Sequence, residues 1–77
     1  MDEKMNSSEV FVEILKSGST LDLANYFREV VPVSLLEQLA ATANANNSNL
    51  VISSRHLSST DLLKITHAGK QNLTVRF

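Results

Sequence analysis

A chain of 77 residues has room for one domain, and 43% hydrophobic with 19% charged residues is the make-up of a globular protein and not of a disordered one. It has no cysteine, so disulfide staples and cysteine-based zinc sites are excluded. The formal net charge is −1 but unevenly spread: residues 1–37 carry three basic and seven acidic side chains, a net of −4, whereas residues 38–77 carry Arg55, Lys64, Lys70 and Arg76 against Asp61 alone, a net of +3. The aromatics are Phe11, Tyr26, Phe27 and Phe77, so the core has to be built from Leu, Ile and Val.

In chain order, residues 1–6 read as a mobile end. A first helix then starts at Asn6, with Glu9 placed to complete a capping box. Phe11, Ile14 and Leu15 fall on one face, and Gly18 stops it. A second helix is expected from Ser19, with Asp22 three residues on. Its apolar stripe is Leu23, Ala24, Phe27, Val30 and Val31, and Pro32 ends it. Ser34-Leu35-Leu36-Glu37 has the form of another capping box. Leu36, Leu39, Ala40 and Ala43 follow at helical spacing, giving a third helix over 34–45. The run from Asn44 to Asn49 is a helix stop and turn, because Asn tolerates left-handed backbone.

After that turn the period changes. Residues 50–55 are short and β-branched and read as a strand. Residues 56–60 are turn-like. Over 61–66 two readings stand: Leu63 and Ile65 alternate as in a strand, whereas Leu62 and Ile65 suit a helix begun at Ser58 or Ser59. Residues 73–77 favour a last strand. The layout is therefore three helices and a hairpin, or three helices followed by strand, helix and strand. No internal repeat is evident.

Two stretches resemble the winged helix-turn-helix family. Thr20-Leu21-Asp22-Leu23-Ala24-Asn25-Tyr26-Phe27 is similar to the second helix of such domains. Ile65-Thr66-His67-Ala68-Gly69, within residues 63–73, is similar to the wing-closing segment of MarR- and PadR-like regulators. Size and element order also resemble small phage-encoded winged-helix proteins that bind host transcription machinery. The resemblance covers roughly residues 9–73 and favours the first layout: an α+β fold, a three-helix winged helix-turn-helix with a C-terminal β-hairpin wing. It departs from the family in having no Lys or Arg on the third helix and no glycine before the first wing strand.

The resemblance implies a small regulator of double-stranded DNA. Gln38, Thr42 and Asn44 would face base edges from the third helix, and Arg55, His56 and Lys64 on the wing would face phosphates. The alternative is a protein-binding module on the same scaffold, docking on an enzyme such as RNA polymerase. The acidic N-terminal half and a pI near 6.0 favour it. As ordinary surface residues, the same side chains would be solvated polar groups and no more. Metal binding would need three or four convergent ligands, which His56, Asp61 and His67 do not promise. The serines lack a base and orienter, and the only glycines, Gly18 and Gly69, make no phosphate loop, so no enzyme and no cofactor is expected. No run approaches the length of a membrane span, and Met1 to Ser8 is polar, unlike a signal peptide. The expectation is a cytoplasmic protein without membrane contact, able to form a homodimer. Sequons at Asn6, Asn46 and Asn72 then carry no weight. The expected core is Phe11, Leu15, Leu23, Phe27, Leu36, Leu39, Ile52 and Ile65, with Tyr26 and Val30 extending it or forming a dimer patch.

Overall fold

The computed structural model describes residues 7–26, 31–55 and 57–77. Helix α1 spans Ser7–Lys16, strand β1 Thr20–Asp22, helix α2 Val33–Asn46, strand β2 Asn49–Ser53, helix α3 Ser59–Gly69 and strand β3 Leu73–Arg76, the last preceded by a single 3-10 turn at Lys70–Asn72. The domain is α+β. All three strands are parallel, in the order β1-β2-β3.

Parallel neighbours need a crossover, and α2 and α3 supply the two. The helices lie side by side, α1 against α2 and α2 against α3, on one side of the sheet. Register places Leu21, Leu50 and Leu73 in one row and Ile52 beside Val75 in the next. Alternation turns this set toward the helices. There Leu15, Leu39, Leu50 and Ile65 are fully buried, joined by Phe11, Leu21, Leu23, Leu36, Ala40, Ala43 and Ile52. Each large side chain buried in this way contributes about 1.5–3 kcal/mol.

Local chemistry explains where each helix begins and ends. Gly18 leaves α1 at φ +86, a left-handed turn that side chains disfavour. Pro32 is the N-cap of α2 with φ −62 and ψ 150, and the Leu36 amide donates to its carbonyl at 3.0 Å. Asn47, at φ 55 and ψ 37, ends α2 in the left-handed conformation, and its N–H reaches back to the helix's last carbonyls. Ser58 caps α3, its hydroxyl accepting from the Asp61 amide at 3.1 Å.

Four expectations are corrected. The second helix is not present at residues 20–26. Thr20–Asp22 is a strand paired with Asn49–Val51, and Leu23 to Tyr26 turns away from it. Asp22 does not cap a helix; its carboxylate accepts from the Ala24 amide at 2.9 Å in a local turn, while the Leu23 amide donates to the Val51 carbonyl at 2.8 Å. The remainder of that expected helix, with Phe27 and Val30, lies outside the described residues, as do residues 1–6. Pro32 is the N-cap of α2, which starts at Val33 with no side-chain cap, so Ser34 is a helical residue and not its cap. Most consequentially, there is no hairpin wing. Ser59–Gly69 is a helix, the strands flanking it are parallel, and Thr66 sits inside α3 with its hydroxyl bonded to the Leu62 carbonyl at 2.7 Å. The Ser58 cap together with burial of Ile65 and Gly69 decides between the two periods. Finally, the backbone does repeat. Thr20-Leu21-Asp22-Leu23, Asn49-Leu50-Val51-Ile52 and Asn72-Leu73-Thr74-Val75 align through the sheet register, each strand reached through a helix.

Gly69 lies where α3 is closest to α2 and β3. A Cβ there would stand 2.9 Å from the Leu73 Cβ and 3.1 Å from the Ala40 Cβ. Gly69→Ala is expected to destabilise the fold by about 1–3 kcal/mol through overpacking, despite the better helix propensity of Ala. Leu15→Ala, which opens a cavity at a fully buried position, is expected to cost about 2–5 kcal/mol. Urea unfolding followed by circular dichroism measures both, and a Gly69→Ala variant as stable as the parent would contradict the packing described.

Candidate interaction surface

The sheet has a second face. Alternation places Thr20, Asp22, Asn49, Val51, Ser53, Thr74 and Arg76 on the side away from the helices. Among the described residues no helix covers it. Val51 is buried at its centre, flanked laterally by Asp22 and Thr74 and along its own strand by Asn49 and Ser53. The Thr74 hydroxyl and the Asn49 side-chain oxygen lie 3.5 Å apart. Ser53 Oγ accepts from the Arg55 amide at 3.1 Å, and the Ser54 amide donates to the Arg76 carbonyl at 2.9 Å, fixing the carboxyl ends of β2 and β3 together. Parallel sheets are ordinarily covered on both faces and read as continuous apolar runs. Here one face is apolar and packed and the other is polar, with Asp22 at one edge strand and Arg76 at the other.

A shallow groove of about 330 Å³ lies elsewhere, between α1 and α2, lined by Ser8, Glu9, Val12, Glu13, Leu35 and Gln38. It is open, and its half-buried Val12 and Leu35 form part of the contact between the two helices.

The residues expected to bind nucleic acid or a partner do not converge. Gln38 is exposed and faces the α1 side of α2, and Thr42 lies on the same side with its hydroxyl tied to the Gln38 carbonyl at 2.8 Å. Asn44 is exposed about 120° further round the helix. Arg55 is in the turn after β2, at the opposite end of the sheet from Asn44, and Lys64 is on the solvent side of α3. The shared hairpin expected to carry Arg55 and Lys64 is therefore replaced by a turn and a helix. His56 lies outside the described residues. Among the described residues, no group of three or more His, Cys, Asp or Glu side chains is gathered to hold a metal, and no helix is long and apolar enough to cross a membrane.

Sequence reasoning missed the open face, for which the one signal was the alternation in T-L-D-L, N-L-V-I and N-L-T-V. Compared with known proteins, the chain matches no family model, no curated protein and no solved structure.

Asp22 is both part of this face and the anchor of the turn behind it. Asp22→Ala removes the bond to the Ala24 amide and is expected to cost about 1 kcal/mol, whereas Asp22→Asn keeps an acceptor and should stay within about 0.5 kcal/mol of the parent. Equal loss in both variants, measured by thermal unfolding, would show that the carboxylate charge and not the turn bond is what matters.

Proposed function

We propose that the chain is a non-catalytic protein-binding module that acts in the cytoplasm and engages its partner through the open face of the sheet. The observation that carries this reading is the one-sided parallel sheet. Helices cover one face, and the other holds short polar side chains on rigid strands, with Asp22 and Arg76 at its two edges. Fixed strands hold polar groups with little ordering cost on binding, which favours affinity. The mixed charge of this face suits a polypeptide better than a polyanion.

A photo-crosslinking amino acid at Thr74, with a control at Thr60 on α3, tests it in the cells that make the protein. The expected result is a discrete protein adduct from position 74, competed by excess unmodified chain and absent from position 60. Adducts of equal yield from both positions, or none from position 74, would remove the proposal.

A second reading, contact with duplex DNA, is supported by the exposed basic residues Arg55, Lys64, Lys70 and Arg76 in the net +3 half of the chain. It predicts binding to random duplex that weakens with salt, with a slope reduced by about 0.9 for each phosphate-contacting residue removed in Arg55→Ala or Lys64→Ala. Fluorescence anisotropy measures it, and no binding at low salt ends that reading.

A further inference from the structure

Consecutive parallel strands joined by helices in one layer form a stack with two open ends. The first end is β1 with α1; the last is β3 with α3. Among the described residues, each strand at an end is paired on one side only, and its other edge is a template for a further strand.

The large apolar side chains that are exposed lie at these ends. Among the described residues they are Val10, Leu63 and Phe77, at 39%, 61% and 96% exposure. On α1, Phe11 and Leu15 face the core and Ser8 and Val12 face α2, which leaves Val10 and Ile14 on the outer flank. On α2, Leu35 and Gln38 meet α1 while Ala40 approaches Gly69 of α3. On α3, Ile65 and Gly69 are buried, Gly69 against Ala40 of α2; half-buried Leu62 packs on the core beside them, and Leu63 stands exposed on the outer surface of the helix. Among the described residues, each end helix thus carries one exposed large apolar side chain, Val10 on α1 and Leu63 on α3.

The edge strands also carry opposite charge on the open face, Asp22 on β1 and Arg76 on β3. If β3 met β1 of another copy in the register already used between β1, β2 and β3, Leu73 would stand beside Leu21 of the next copy and Thr74 beside its Asp22. Arg76 would then be the diagonal neighbour of that Asp22, about 8 Å away between Cα atoms and within reach of the long side chain. Above the sheet, α1 of the next copy would take the place that a crossover helix takes inside the chain, bringing exposed Val10 to the α3 end that carries exposed Leu63.

We propose that the chain binds a second copy of itself head to tail, the β3–α3 end of one copy docking on the α1–β1 end of the next so that the parallel sheet continues. This contact is heterologous: it uses two different surfaces and leaves one of each free, so it builds chains or closed rings and not a two-fold dimer. It leaves the open face available and does not rest on the reading of that face.

Sedimentation velocity on the full chain over a range of concentrations tests it. The parent is expected to grow in mass past the dimer as concentration rises, with salt weakening the growth. Arg76→Glu disables one end and Val10→Lys the other, each lowering self-association at least about tenfold, about 1.4 kcal/mol. Mixed one to one, the two variants are expected to form a single heterodimer that grows no further, because each supplies the end that the other lacks. Leu63→Lys replaces Arg76→Glu if that variant loses its helical circular dichroism. A parent that stays monomeric at every concentration overturns the proposal. So does a single variant that still dimerises with itself, which would mean pairing between like ends.

Discussion

A buried serine ties three segments of this fold together. Ser48 is 3% exposed and is the buried polar residue of the described core. Its amide donates to the Ala43 carbonyl at 2.8 Å and closes α2; its hydroxyl donates to the Leu15 carbonyl near the end of α1; its own carbonyl accepts from Asn72 Nδ2 at 2.7 Å, just ahead of β3. The chain enters β2 immediately after Ser48. One residue therefore holds the ends of two helices and the approach to a third segment at a common level along the sheet. Buried backbone groups need partners, and supplying several from one small side chain and its own backbone keeps the turn compact. Asn47 makes this geometry accessible by taking the left-handed conformation that reverses the chain.

With that edge fixed, the strands share a register and the row Leu21, Leu50, Leu73 forms. The row is the floor on which the helices rest, and Gly69 lets α3 come close to it. At the other end of β1 the chain is held by a different contact. Phe11 and Tyr26 meet edge to face, with ring centroids 5.5 Å apart and planes at 87°, so the turn after β1 is pinned to α1. Among the described residues, the core cluster lies on one side of the sheet, with Val51 buried on the other. The small aromatic count is no handicap, because a thin helix layer over short strands needs Leu, Ile and Ala and not wide rings.

Much of this was legible in the residues. Helix α1, most of α2, the Asn turn, β2 and β3 follow from period and turn chemistry, and the seven expected core residues that are described are all buried, Phe27 lying outside the described residues. Strand β1 was not legible for a physical reason. Ser19 and Asp22 stand at capping spacing, and Leu23-Ala24 continues with apolar residues at helical intervals, so a three-residue strand was outvoted by local pattern. Its identity comes from pairing with β2, a long-range contact that no local window contains. Residues 59–69 were legible as one of two options, and the similarity of Ile65 to Gly69 to a wing-closing segment tipped the balance away from the helix that Ser58 caps. The open face followed β1 into obscurity: Thr20, Asp22, Asn49, Thr74 and Arg76 lie on three strands and become neighbours only when those strands pair in parallel.

Edge strands need protection from indiscriminate pairing, and this chain has two of the usual devices. Strand β1 is three residues long, and each edge carries a charge on its open-face side. The charges differ in sign, which makes the protection directional. An edge with Arg76 repels another of its kind, and an edge with Asp22 does the same, whereas the unlike edges attract. The exposed Val10 of α1 and Leu63 of α3 come together only when unlike ends meet, since only then does a helix land where a crossover helix would lie. The features that keep the sheet from pairing at random are thus the ones that select a single mode of association.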